Sequence, residues 1–330
     1  MKLPFLKAGI AAASLGCAMM TAAGGAVAAP SDYPSRPITI VVAYPAGQAV
    51  DILARVVGEG LSHELGQAVI VENRAGAGGT IGTQYLTRMP PDGYTISMSS
   101  SGPLAIAPQL FTSAGYDPRK DFSPIMDVAA MANVLVVRGS SPYRSVADLV
   151  AAAKAKPNSI NFGSPGSGST SHLTQELFKQ LAGVQMMHIP YKGTTAALSD
   201  LMGGQIDALF DASASVKPFV DKGDLRALAV TSLSPIPALP GVAPLARQGF
   251  DKFEAIGWIG MVGPAGMDPA VVKKLHAALS KAMRDPVTLT KLGELGMQPI
   301  GDTPGQFGAF IASEYQKWGD VIRQADVKVQ

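Results

Sequence analysis

The 330-residue chain has a single cysteine, Cys17, and it lies in an N-terminal stretch that contains no Asp or Glu before Asp32. Beyond that stretch there is none, which excludes disulfides, thiolate metal sites and a cysteine nucleophile. Histidine is scarce too: His63, His172, His188 and His276 are the four, with no two at ligand spacing, so no metal or other cofactor is expected. Catalytic signatures are also missing. No G-x-S-x-G elbow surrounds Ser164 or Ser167, because Phe162 and Pro165 stand where the first glycine would be. A Walker A loop is absent, and Gly76-x-Gly78-Gly79 is most simply a turn that packs a helix against a strand.

The acid-free leader places Lys2 and Lys7 before a small, apolar run, the pattern of a Sec-type secretory signal peptide and so of a periplasmic protein. Cleavage after Ala28 satisfies the small-residue rule at Ala26 and Ala28; cutting after Ala29 would leave Pro30 at the new terminus. The leader, residues 1–28, is too short and too diluted with Gly, Ser and Thr for a retained membrane anchor. Cys17 lacks the aliphatic residue three positions earlier that lipidation expects, since Ser14 stands there. Without Lys2 and Lys7 the 27 Lys and Arg residues fall to 25, equal to the 25 Asp and Glu, so the mature chain carries no net formal charge. Such a balance points away from nucleic acid and anionic membrane as partners. About 300 residues exceed what one core usually organises and suggest two lobes.

From residue 37 the pattern alternates: strand 38–43, helix 50–65, strand 68–72, helix 79–89, strand 95–99. A second series runs from strand 134–137 through helix 146–156, strand 160–163, helix 170–182, strand 185–189, helix 194–202, strand 208–211 and helix 213–222 to strand 225–231. This is an α/β chain with two mainly parallel sheets flanked by helices. After a Pro-rich connection, strand 255–262 and helices 269–284, 286–295 and 304–325 offer too few strands for a third sheet. They are expected to pack back on the first lobe, giving lobe 1 residues 30–130 and 254–330 and lobe 2 residues 131–253. The chain then crosses twice, near 126–134 and 253–260, which makes a hinge.

Two segments point to binding. Residues 161–172 form a Ser/Gly loop that follows a strand and feeds a helix whose first N–H groups lack intrahelical partners; residues 189–195, around Tyr191, Lys192, Gly193, Thr194 and Thr195, repeat the arrangement. Two such helix starts converge on a small anion held by hydroxyls and backbone. His172, in the first turn, either reaches the cleft or packs as a plain imidazole. Asp211 either faces the ligand or caps the next helix, and Asp51 suits the dipole of its own helix start. A serine hydrolase would need a serine of residues 164–171 paired with His172 or a remote histidine.

Several segments in unbroken order resemble the tripartite tricarboxylate transporter receptors, or Bug-type periplasmic solute-binding proteins. They are Tyr33-Pro34-x-Arg36-Pro37-Ile38, Val71-Glu72-Asn73-Arg74-Ala75-Gly76-Ala77-Gly78-Gly79, Pro91-Asp92-Gly93-Tyr94-Thr95, Asp117-Pro118-x-Lys120-Asp121-Phe122, Asn161-Phe162-Gly163-Ser164, Glu176-Leu177-Phe178, Pro190-Tyr191-Lys192-Gly193, 225–231 and Pro264-Ala265-Gly266. The resemblance implies a hinged, two-lobed, type II-like periplasmic binding protein, monomeric, that traps a small organic carboxylate and serves a large and a small membrane subunit. An orphan receptor for sensing is the other role it allows. It also implies the contacts: Tyr44, Ala46, Gly47, Gln48 and Val50 with Ser100 and Ser101 from the first lobe. From the second lobe it implies Ser164, Ser167, Gly168, Ser169, Thr170, His172, Tyr191, Gly193, Thr194, Thr195, Asp211 and Ser213. The first loop departs from the family's Pro-Pro-Gly-Gly pattern: Gln48 puts an amide where bare backbone normally meets the ligand, and Val50 replaces a hydroxyl.

Overall fold

A computed structural model describes residues 33–328; the expected leader lies outside them. In chain order the elements of the first half are β1 (Ile38–Val42), α1 (Ala49–Leu65), β2 (Val69–Asn73), α2 (Thr80–Leu86), β3 (Thr95–Ser100), α3 (Ala107–Leu110) and β4 (Phe122–Arg138). Next come α4 (Val146–Ala155), β5 (Asn161–Ser164), α5 (Thr170–Ala182), β6 (Met187–Pro190), α6 (Thr194–Gly203), β7 (Ala208–Ala212), α7 (Ser213–Lys222) and β8 (Leu225–Val230). The chain ends with β9 (Ile256–Pro264), α8 (Pro269–Ala282), α9 (Pro286–Glu294), β10 (Gln298–Pro299) and α10 (Pro304–Gln324).

Sequence dictates the main elements directly. In α1, Leu53, Ala54, Val57 and Leu61 recur at helical spacing and are fully buried, and the helix stops where Gly66 takes a left-handed φ of 66°. At α10, Thr303 and Gln306 form a reciprocal capping box with Pro304 at the first helical position; Phe307, Ile311 and Trp318 then line its buried face.

The outer strands are parallel, β2-β1-β3 on one side and β6-β5-β7 on the other. Antiparallel strands join them: β9 pairs β3 and β4, while β7 and β8 both pair β4. The sheet is therefore mixed where it joins. The sequence pattern suggested a short strand at 134–137; instead β4 is 17 residues long. Its early part looked strandless because of Pro124 and the run of alanines, yet Pro124 sits at a register shift, where a missing N–H costs no ladder bond. This strand pairs β9 up to Ala132 and then β7 and β8 from Asn133 and Val134 onward. At that change of partner Thr231 ties three segments: its N–H donates to the Asn133 carbonyl at 3.0 Å, its hydroxyl to the Ala255 carbonyl at 2.7 Å, and its carbonyl accepts from Ala255 N–H at 3.0 Å.

The C-terminal helix is shared between the two series. One continuous core joins Phe162, Phe178 and Phe210 to Trp258, Phe307 and Trp318, and Gln180 donates to the Val321 carbonyl. Among the described residues no helix is long and apolar enough to cross a membrane.

Candidate functional site

A cleft opens over the place where β4 changes partners. Its inner part, about 240 Å³, is lined by Tyr44, Gln48 and Val50, by Ser100 and Ser101, by Thr170, and by a floor that includes Met131, Asn133 and Trp258. An outer part of about 430 Å³ shares Tyr44, Ser100, Ser101 and Thr170 and adds Ser167, Gly168 and Ser169. None of the described residues lining either part is Asp, Glu, Lys, Arg or His. Two helices aim their N-termini here, α1 through Gln48 and Ala49 and α5 through Ser169 and Thr170. Their unpaired N–H groups and aligned peptide dipoles supply partial positive charge without a cationic side chain.

The first wall is the turn after β1. Gly47, at φ 85°, bends it, and its N–H donates to the Asp51 carboxylate at 2.8 Å. The same carboxylate receives Arg55 through two N–H groups and the Asn73 amide, which also donates to the Tyr44 carbonyl. Asp51 is 2% exposed. Burial alone would raise its pKa, but the bonds from Arg55, Gly47 and Asn73 outweigh it and hold the carboxyl below the usual aspartate range. Asp51 thus does more than suit its helix dipole; it braces the whole turn. The Tyr44 hydroxyl meets Ser100 Oγ at 2.5 Å and links this wall to the end of β3, while burial raises the phenol's pKa and keeps it neutral.

The second wall is the loop between β5 and α5. Ser169 caps the helix by accepting from His172 N–H, and the Gly168 N–H donates to His172 Nδ1 at 3.1 Å. The His172 ring stacks on His188, centroids 3.7 Å apart and planes 9° from parallel, and His188 Nε2 lies 2.7 Å from Ser164 Oγ. Burial, then the neighbouring His172, depress the pKa of His188 to about 4, so its ring is neutral at pH 7. Behind His172 stands Glu176, with Nε2 to Oε1 at 3.6 Å; burial opposes its ionisation, but His172 and Lys179 hold its pKa low.

Of the residues singled out from sequence, Tyr44, Gln48, Val50, Ser100, Ser101, Ser167, Gly168, Ser169 and Thr170 meet at the cleft. Ala46 and Gly47 are exposed on the same turn without lining the cleft. Ser164 and His172 are buried beneath the second loop, so His172 packs rather than reaching in. Tyr191 turns its hydroxyl to Asp200 at 2.8 Å, and Gly193 donates to the Pro165 carbonyl; with Thr194 and Thr195 they stand outside the lining, behind the loop. Asp211 accepts from the adjacent Ala212 N–H at 2.7 Å; burial raises its pKa, against the opposing pull of Ala212 and the nearby Thr194 hydroxyl. Ser213 is placed differently from the expectation. Its hydroxyl points to the Gly296 carbonyl in a neighbouring groove of about 760 Å³ that also contains Ala132 and meets the inner cleft at Met297. Side chains alternate along a strand, so Ala132 faces away from Met131 and Asn133. Asn133 and Met131 were missed; an amide inside the apolar run of β4 was the available signal for the first, and nothing marked the second.

A cleft walled by helix N-termini over the junction of two strand series, with no charged side chain among its described lining residues, has the build of a small-molecule receptor site. Residues 53–327 match the family model described as "Tripartite tricarboxylate transporter family receptor". The chain belongs to that family, whose members are periplasmic solute-binding receptors. It is 35% identical to Protein BugT of Bordetella pertussis over 96% of this chain and 98% of that one. Among solved structures it is similar to R. palustris Rpa4515 with adipate, at 33% identity and a TM-score of 0.74, covering 90% of this chain and 99% of that one. It is also similar to MatC from Rhodopseudomonas palustris with bound malate, at 29% identity and a TM-score of 0.71, covering 88% and 100%.

Proposed function

We propose that this protein is a secreted receptor that captures a small aliphatic dicarboxylate in the cleft and hands it to a membrane transporter. The observation that carries this reading is the pair of helix N-termini, with hydroxyls from Tyr44, Ser100, Ser101, Ser167 and Thr170, around a space with no charged side chain among its described lining residues. A carboxylate there accepts charge-assisted hydrogen bonds, each contributing roughly 1.5–3 kcal/mol, so three or four reach micromolar affinity, about −8 kcal/mol. The relatives with adipate and malate support the ligand class.

Residues 1–28 act as the signal peptide in this reading. Residues 33–130 with 254–328 form one lobe and 131–253 the other, hinged where Asn133, Thr231 and Ala255 are tied. Closure brings the loops at 191–195 and 211–212 towards the ligand, and contacts made only when closed couple closure to binding. The receptor acts as a monomer and serves a large and a small membrane subunit. The reading involves no turnover: Ser164, paired with His188, is fully buried, and among the described residues His188 has no hydrogen-bonded carboxylate to orient it as a base.

A thermal-shift and calorimetric screen of the mature protein against aliphatic dicarboxylates, tricarboxylates, aromatic acids and acidic amino acids tests the proposal. Saturable stabilisation by C4–C6 dicarboxylates is expected. Stabilisation by none of the acids would sink it, and binding by a protein whose neighbouring genes encode no transporter would favour the sensing role.

A further inference from the structure

The two walls share one local geometry. In each, a glycine in the left-handed region precedes the N-cap, Gly47 at φ 85° and Gly168 at φ 77°. In each, the third helical residue accepts that glycine's N–H, Asp51 at 2.8 Å and His172 at 3.1 Å. What differs is charge. Asp51 is an anion matched by Arg55 one turn on; His172 is followed at the same spacing by Glu176.

At the third helical position a Glu or Gln commonly closes a capping box, and this chain does so elsewhere with Asp148 at α4 and Gln306 at α10. A carboxylate at α5 would satisfy Gly168 equally well. It would also neutralise the helix terminus and repel a second anion. An imidazole that accepts at Nδ1 has its proton on Nε2, towards Glu176, and in that tautomer it holds the loop without adding a negative charge at the helix start. Its groups are accounted for on every side: Glu176 and Lys179 on its own helix, and the neutral His188 stacked from β6.

Resting on the receptor reading above, we infer that His172 is a positioning residue: a charge-neutral brace that orders the 166–169 loop while leaving the α5 N-terminus free to take the ligand's carboxylate. The α1 terminus, already faced by Asp51, draws the ligand's second carboxylate less strongly. The second wall therefore contributes the larger share of anion capture.

His172→Asn and His172→Asp differ only in charge and have equal reach to the Gly168 N–H, so the comparison separates bracing from electrostatics. With malate and adipate as probes, His172→Asn is expected to bind within about threefold of wild type and His172→Asp at least about tenfold more weakly. Equal affinity for the two variants, whether both retained or both lost, overturns the inference, because a purely structural role moves them together. Nitrogen-15 spectra of ligand-free wild type provide a readout that needs no variant to fold: Nε2 protonated and Nδ1 bare is expected, and a protonated Nδ1 at pH 7 overturns it. Wild type that binds neither acid would instead count against the receptor reading, and this inference would fall with it.

Discussion

The α1 wall is held by an ionic knot and the α5 wall by neutral rings, although both solve one problem: keeping a glycine turn in place at the mouth of a helix. Asp51, Arg55 and Asn73 make a network whose centre is buried and whose cation is half exposed. Ser164, His188 and His172 make a network of a hydroxyl and two stacked imidazoles, with His188 neutral at pH 7, and they lie beneath the loop rather than at its edge. A charged brace is strong but fixes the local field; a neutral brace leaves the field to the ligand. That contrast predicts where each wall fails.

The largest effect is expected from Asp51→Ala. Removing the carboxylate takes away the acceptor that ties Gly47, Asn73 and Arg55 together; the Asn73 side-chain NH2 keeps only its bond to the Tyr44 carbonyl, and Gly47 and Arg55, being exposed, turn to water. The loss is about 1.5–3 kcal/mol, which in a chain of this size lowers Tm by several degrees, with ligand affinity falling as the turn loosens. Thermal melts and calorimetry check this; an unchanged Tm would show that the turn is held by packing alone.

Acid should separate the walls. His188 is pushed to about 4 in the folded protein against about 6.5 unfolded, so the unfolded chain binds the extra proton first. The stability that the neutral ring contributes is complete above pH 6.5 and is lost as pH falls from 6.5 towards 4. The shift caps it at about 3 kcal/mol, and the ring's partial exposure makes the realised value smaller. Asp51, whose pKa is depressed, contributes above the ordinary aspartate value and loses its contribution only below that. Melts across pH 4–7 should therefore flatten in His188→Asn and keep their slope in Asp51→Asn.

Tyr44→Phe removes the bond to Ser100 and one candidate donor to the ligand. About 1 kcal/mol of stability and roughly fivefold in affinity are expected to go, a smaller loss than that at Asp51, because Ser100 faces the cleft and can turn to water.

The sequence showed these walls unequally. Loop 161–172 was legible because its signals are local: a short strand, glycines, a serine cap and a helical pattern, and α5 begins at Thr170 as the pattern implies. The turn at 44–50 was placed in the site by resemblance, since the ties that define it span 22 and 29 residues of chain, from Asn73 to Asp51 and to Tyr44. The length of β4 was hidden because small residues and Pro124 imitate a linker when their two pairing partners are out of view. The position of Ser213, whose hydroxyl turns to Gly296 in a neighbouring groove, was not legible for a similar reason: which side of the sheet a side chain takes after β7 depends on register, and register is a long-range property.

Gln48 sharpens the comparison with the smallest cost to the fold. It is the N-cap of α1, with φ −76° and ψ 160°, and its side chain makes no capping bond, whereas Ser169 at the equivalent place in α5 does. The Gln48 amide is therefore uncommitted at the inner part of the cleft, next to Val50. Gln48→Gly should change stability by only a few tenths of a kcal/mol, since glycine is itself an acceptable N-cap. It should nevertheless widen the inner space and shift preference towards longer or bulkier acids. Affinities measured across the C4 to C8 dicarboxylate series decide this: a profile that moves to longer chains assigns chain-length selection to the first wall and anion capture to the second. A profile identical to wild type would mean that the amide turns to solvent and that the α5 wall sets both.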